Sequence, residues 1–237
     1  MNRPRPTMTV TKNIWAVVPV KTFTQAKTRL SDILSATQRK ALAQGMMRDV
    51  IRALLASPSI EKVVVITSDP EAQQIARELN AIALTDDQNA GQTAAVEQGM
   101  RFLKAQGVKI MLTLPADLPL LTADDVESFC ALINSENEVV IAPAANDGGT
   151  NAIACDTNCT MCFHFGDDSF QKHKKSILAI DAKPIISTVN GFCLDVDRPE
   201  DLFEFLKTPS ATYSYKLLSS LINPPVIRLH QTDRVST

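Results

Sequence analysis

The chain has 237 residues, 45% hydrophobic and 21% charged, with a formal net charge of -2 and a pI near 5.9. That balance suits one large domain or two small ones and excludes a wholly disordered polymer. There is no overall basic excess to mark a nucleic-acid binder, and no apolar run of the roughly 18–20 residues that a membrane span needs.

Residues 1–12 are polar, include Pro4 and Pro6, and lack the apolar core of a signal peptide, so they read as a flexible N-terminus. Five cysteines, an odd number, fit a reducing cytoplasm better than a disulfide framework. The apolar run 14–20 predicts a buried first strand. The loop from Lys21 to Leu30 carries Lys21, Lys27 and Arg29. Flexible ammonium groups and a forked guanidinium suit phosphate oxygens, but the loop has no glycine-rich phosphate motif, and taken alone it reads first as a solvated basic stretch. Ser35 and Gln38 have the spacing of a capping box. Leu42, Met46, Val50, Ile51 and Leu54 then recur at helical spacing and face a core.

A second strand is predicted at 62–67. Asp69-Pro70 opens a helix to about Leu79, with the Asp as cap and the Pro in the first turn. A short strand at 81–85, a polar loop at 86–92 and a helix from about Thr93 to Gln106 follow. The next strand, 109–114, runs into Leu114-Pro115-Ala116-Asp117-Leu118-Pro119. The prolines cannot continue a ladder, so Asp117 falls just beyond the carboxyl end of that strand. Ligands in open α/β sheets bind there, and a carboxylate between rigid residues suits a hard cation. A simple turn role for Asp117 has equal standing. Thr122 and Asp125 cap a helix to about Ile133, and 139–143 is another buried strand. This alternation predicts an α/β domain with a mostly parallel central sheet flanked by helices.

Asn146 to Asn151 is a polar turn leading into Ala152-Ile153-Ala154. A helix is expected from about Ser169 to Ile180, with His173 on a lysine-rich, solvated face. A strand is expected at 185–189. Cys193 to Asp197 alternates like a strand and puts Asp195 and Asp197 on one face. Pro199 starts another helix. From Thr208 the pattern fades, so 208–237 reads as a C-terminal extension, partly disordered, after a domain at 13–207.

Taken together, Pro19-Val20-Lys21, Ala26-Lys27-Thr28-Arg29-Leu30, Leu114 to Pro119, Gly148-Gly149-Thr150-Asn151-Ala152, Phe165-Gly166 with Ser169-Phe170, and Leu194-Asp195-Val196-Asp197 with Pro199-Glu200-Asp201-Leu202 occur in one order. The set resembles the phospholactate guanylyltransferases of coenzyme F-420 biosynthesis over roughly Ile14 to Leu206. The resemblance implies a glycosyltransferase-A-like nucleotidyltransferase fold. It implies a reaction of GTP with a phosphorylated three-carbon acid (2-phospho-L-lactate, phosphoenolpyruvate or 3-phospho-D-glycerate) that releases pyrophosphate. It also implies magnesium as cofactor, held by Asp117, Asp195 and Asp197. Pro19, Val20, Lys21, Lys27, Arg29, Thr93, Pro115 and Asp117 would bind the nucleotide, and Thr150, Gly166 and Ser169 the acid. Asp117, Lys21, Lys27 and Arg29 would carry catalysis. The physical reading agrees: a hydroxyl, an unobstructed amide and a helix-start serine make an anion cradle.

Family members tend to carry Leu-Asn where this chain has Gln92-Thr93, in a loop associated with the nucleotide, which leaves the choice of base open. The expected partners are GTP and a small phosphorylated acid, with no nucleic acid and no membrane, in the cytoplasm; a homodimer stays open. A non-catalytic nucleotide-binding module, or a nucleotidyltransferase with another base or acceptor, is the alternative. Cys155, Cys159 and Cys162, with His164 nearby, have a spacing found in iron–sulfur or zinc sites. Free cysteines in a connecting segment are the favoured reading.

Overall fold

A computed structural model of the protein describes residues 13–87, 89–145 and 148–222. The expected flexible N-terminus, 1–12, lies outside the described residues. Seven strands form one sheet among them: β1 (Ile14–Pro19), β2 (Ile60–Ile66), β3 (Ile82–Leu84), β4 (Ile110–Thr113), β5 (Glu138–Pro143), β6 (Thr150–Asp156) and β7 (Lys183–Ile186). Their spatial order is β3-β2-β1-β4-β6-β5-β7. All neighbours are parallel except β6, which runs antiparallel to both β4 and β5. The connection 144–149 is too short for the crossover of a dozen or more residues that a parallel neighbour demands, so β6 must turn back.

That reversal builds the site. Thr113 of β4 pairs with Ile153 of β6, so Thr150 at the start of β6 extends past the carboxyl end of β4. The beginning of one strand thereby lies beside the ends of the others. The seventh strand sits at 183–186, slightly earlier than the sequence pattern suggests.

Seven helices lie around the sheet among the described residues: α1 (Ala36–Ala56), α2 (Pro70–Glu78), α3 (Gln92–Ala105), α4 (Ala123–Ala131), α5 (Ser169–Leu178), α6 (Pro199–Leu206) and α7 (Tyr213–Leu221). The period of two along β1 sorts its side chains between two cores. Ile14, Ala16 and Val18 pack with α1, α2 and α4, while Trp15 and Val17 pack with α3 and α5. Gly99 lets α3 come this close: a Cβ there would lie 2.5 Å from the Val17 side chain. The caps predicted for α1, α2 and α4 form as expected. Ser35 and Gln38 close a capping box, as do Thr122 and Asp125. Asp69 accepts the Glu71 and Ala72 N–H groups at the start of α2.

Residues 193–197 are not a strand. Leu194 and Val196 are buried in alternation, but the segment has no ladder partner. It is pinned at two points, where Val196 N–H donates to the Asp117 carbonyl (3.2 Å) and Ala145 N–H to the Cys193 carbonyl (3.0 Å).

The expected extension from residue 208 is, as far as Ile222, part of the domain. Leu218 and Ile222 join Leu42 and Met46 of α1 and Leu202 and Phe205 of α6 in a third core cluster. Asp49, buried on α1, accepts the N–H groups of Tyr213 and Ser214 and the Ser214 hydroxyl, at 2.9, 2.9 and 2.7 Å. A carboxylate at a helix start also meets the positive end of the dipole. Asp49→Ala should therefore lower stability by about 1–3 kcal/mol through the orphaned donors. Chemical denaturation would measure it, and an unchanged midpoint would mean that α7 docks by apolar contact alone.

Candidate active site

The loop after β1 is shaped by one residue with an unusual backbone. Val20 N–H still donates to the Ile66 carbonyl (2.9 Å), and then the chain leaves the sheet. Phe23 is buried, and its N–H donates to Asp69 Oδ2 at 2.8 Å, which ties the loop to the start of α2. Lys27 lies between two short 3-10 turns with φ 54° and ψ 37°. A left-handed lysine costs on the order of 1–2 kcal/mol, and such strain persists where surrounding contacts over-determine it.

Those contacts are ionic. The Lys27 side chain is only 7% exposed, and its ammonium bonds to Asp117 Oδ2 and, at 2.8 Å, to Asp197 Oδ1. Burial would lower the Lys27 pKa, but Asp117 and Asp197 together outweigh it and hold it above the ordinary value. Burial would raise Asp197, but Lys27, Arg29 and Lys21 outweigh it and hold it below. Arg29, largely exposed, reaches Asp197 at 3.5 Å. Lys27 and Arg29 thus meet on one carboxylate, whose charge Lys21 also favours.

Asp117 is where the prolines were expected to put it. Leu114 N–H makes a last bond to the Val17 carbonyl, and the chain then bends. Asp117 Oδ1 is buried and has no hydrogen-bond partner among the described residues. A buried, unpaired carboxylate oxygen is costly unless something outside the chain takes it, and a hard cation is what such an oxygen suits. Asp195 is held differently, with Asn151 Nδ2 donating to its Oδ1 at 3.1 Å and to the Phe192 carbonyl at 2.9 Å. Among the described residues no three His, Cys, Asp or Glu side chains converge as a ready-made metal cage. Asp117 and Asp197 meet across the Lys27 ammonium, and Asp195 is turned toward Asn151.

Two glycine turns also meet at this cleft. Phe170 N–H donates to the Gly148 carbonyl (3.1 Å), joining the turn before β6 to the start of α5. Gly166, with φ 116°, occupies backbone space that only glycine takes readily. Ser169 is the first helical residue rather than the cap. Asp168, left-handed at φ 53°, takes the cap position without a side-chain bond. Thr150 Oγ1 lies 2.9 Å from His173 Nδ1.

His173 corrects the sequence reading, for it is 0% exposed rather than solvated. Ser169, His173 and Ile177 are all buried, at i, i+4 and i+8. That spacing was the available signal, and the flanking Lys172, Lys174 and Lys175 masked it. Asn151 was also missed as a site residue.

Every residue expected in the site except Thr93 lines one cleft of about 830 Å³. Thr93 stands behind the wall, and its hydroxyl accepts the Phe165 N–H at 3.1 Å. It links the start of α3 to the Gly166 segment, while Gln92, Asp86, Asn89 and Gly91 face the cleft. The cysteines are spread from core to surface: Cys155 is buried in β6, Cys159 half-buried and Cys162 exposed.

A mostly parallel sheet with helices on both faces, and an acid-and-base-lined cleft at its carboxyl edge, give the chain an α/β fold similar to that of nucleotide-diphospho-sugar transferases. A Desulfovibrio desulfuricans G20 structure described as such a transferase matches at a TM-score of 0.72 and 16% identity, covering 92% of this chain and 97% of that one. The chain belongs to the CofC-like guanylyl transferase family, whose model matches residues 14–229. It is 35% identical to the phosphoenolpyruvate guanylyltransferase of Conexibacter woesei, over 79% of this chain and 85% of that protein. It is 34% identical to the 2-phospho-L-lactate guanylyltransferase of Methanothermobacter thermautotrophicus, over 87% and 90%. The 3-phospho-D-glycerate guanylyltransferase of Phenylobacterium zucineum is 30% identical, over 87% and 95%. Among the described residues no helix is long and apolar enough to cross a membrane.

Proposed function

We propose that this chain joins GTP to a phosphorylated three-carbon acid, releasing pyrophosphate, with magnesium as its cation, in the cytoplasm and as a step of coenzyme F-420 biosynthesis. Relatives named for phosphoenolpyruvate, 2-phospho-L-lactate and 3-phospho-D-glycerate supply the candidate acids. The observation that carries this reading is the cleft itself. Lys21, Lys27 and Arg29, the glycines and hydroxyls of Gly149, Thr150, Gly166 and Ser169, and Asp117 all line it.

A phosphate oxygen of the acid attacks the α-phosphorus of GTP. The bond to the β-phosphate bridging oxygen breaks, and pyrophosphate leaves with its electron pair. A phosphate monoester is largely dianionic at neutral pH, so the nucleophile needs no general base. The protein's task is positioning and charge neutralisation. Lys21, Lys27 and Arg29 bind the triphosphate oxygens. Thr150, the Gly166 backbone and Ser169 hold the acid in line with the leaving pyrophosphate. Asp117, with Asp195 and Asp197, would hold magnesium, and the unpartnered Asp117 Oδ1 fits that role. Magnesium, when bound, supplies neutralisation and orientation of the phosphates.

Pyrophosphate release tests the proposal, with magnesium, each of the three acids and each nucleoside triphosphate in turn. Turnover is expected with GTP and at least one acid. Tight GTP binding without turnover on any acid would instead make the chain a nucleotide-binding module. A preference for another base would move attention to Gln92.

A further inference from the structure

His173 has a defined role that the sequence motifs do not assign. Its ring bridges three parts of the fold. Nε2 accepts the backbone N–H of His164 at 2.8 Å, and Nδ1 lies 2.9 Å from the Thr150 hydroxyl on β6. The Phe165 ring packs edge-on at 4.9 Å and fixes the imidazole plane.

The hydrogen-bond network settles which atom carries the proton. A backbone N–H can only donate, so Nε2 must be bare. Burial, with His164 alongside, pushes the His173 pKa down to about 4, so the ring is neutral near pH 7. A neutral imidazole keeps one proton, which must then sit on Nδ1. The Nδ1–H donates to Thr150 Oγ1, and the Thr150 hydroxyl is the acceptor in that bond. Its own proton points elsewhere, and Thr150 lines the cleft. In the opposite tautomer the hydroxyl would spend its proton on the ring and turn lone pairs toward any anion in the cleft.

We propose that His173 is a positioning residue that holds the Thr150 hydroxyl as a hydrogen-bond donor toward the phosphorylated acid. This rests on the acid-binding reading of Thr150 above. His173 never touches the substrate; it sets the polarity of the group that does. A phosphate or carboxylate oxygen accepts only, so a fixed donor matches it and a fixed acceptor repels it.

Two substitutions separate this role from packing. The Asn side-chain amide reaches about as far as Nδ1, and the Gln amide about as far as Nε2. His173→Asn keeps a donor for Thr150 and gives up the His164 contact. His173→Gln keeps the His164 contact and gives up the donor. The KM for whichever acid supports turnover should rise about tenfold in His173→Gln, the worth of one good hydrogen bond to a charged group. It should stay within about threefold in His173→Asn, and the KM for GTP should hold in both. Equal changes in the two variants, or a shift in both substrates alike, would overturn the proposal in favour of packing. In the wild-type protein, nitrogen-15 NMR should show His173 with a protonated Nδ1 and a bare Nε2; only three histidines compete for assignment. The reverse tautomer would overturn the proposal even if the variants fail to fold. Thr150→Val separates the two levels. If it leaves the acid KM unchanged, the acid-binding reading falls and this inference with it. If it raises that KM while His173→Gln does not, the inference alone falls.

Discussion

Asp117→Asn should abolish turnover almost completely while the protein stays folded. Asn keeps the size of the side chain and removes the charge. Asp117 Oδ1 is buried with no hydrogen-bond partner among the described residues, just beyond the carboxyl end of β4, in the cleft that the cations and Gly149, Thr150 and Gly166 also line. A direct ligand to a neutralising cation supplies several kcal/mol of transition-state stabilisation, so the rate should drop on the order of 1,000-fold or more. The fold should hold because Lys27 keeps its 2.8 Å partner Asp197, and because the Asp117 carbonyl still accepts from Val196. Steady-state pyrophosphate release, with a thermal melt beside it, measures both. A folded variant with wild-type rates would remove Asp117 from the reaction and leave it a turn residue.

Lys27→Met is the second large effect. Met keeps the apolar stem and loses the ammonium that joins Asp117 to Asp197. The two carboxylates would then face each other without the cation between them, with only the exposed Arg29 still reaching Asp197 at 3.5 Å. A fully buried pair broken on one side loses about 3–5 kcal/mol. Asp117 is 24% exposed and Asp197 43%, so water screens them and the loss should be nearer 1–2 kcal/mol. Function should suffer more, with the KM for GTP rising at least on the order of tenfold and turnover falling with it. The backbone supplies an internal control. Because Lys27 is left-handed, Lys27→Gly should be more stable than Lys27→Ala by about 1 kcal/mol. Denaturant midpoints of the three variants test this. Equal stability of the Gly and Ala variants would mean that the loop relaxes once the ion pairs are gone, and unchanged GTP kinetics in the Met variant would make the loop a solvated basic stretch.

Much of the architecture was legible because its causes are local. Ser35 with Gln38, Asp69 with Pro70, and Thr122 with Asp125 satisfy helix-end donors within a few residues, so the spacing alone announces them. The apolar runs around Val17, Val64, Leu112 and Ile141 mark strands buried on both faces, and Pro115 stops one of them. From these, the α/β class, the mostly parallel sheet and the place of Asp117 followed. The ordered family motifs carried the rest of the expected site.

Tertiary structure alone decided what those residues meet. Lys27 reaches Asp197 across 170 positions, and no local pattern encodes that pairing. The insertion of β6 between β4 and β5, which brings Thr150 beside Asp117, depends on which edge the returning strand fills. The docking of α7 depends on Asp49, a carboxylate that reads as surface until Ser214 is placed against it. His173 looked solvated among lysines because a helix face is inside or outside only relative to what packs on it. Thr93 and Asn151 likewise took their partners from segments far along the chain, Phe165 and Asp195. Caps, turns and apolar periods act over one or two turns of chain and can be read in order. Ion pairs and buried hydrogen bonds are made between surfaces that exist only after the sheet has formed, so their partners are set by packing.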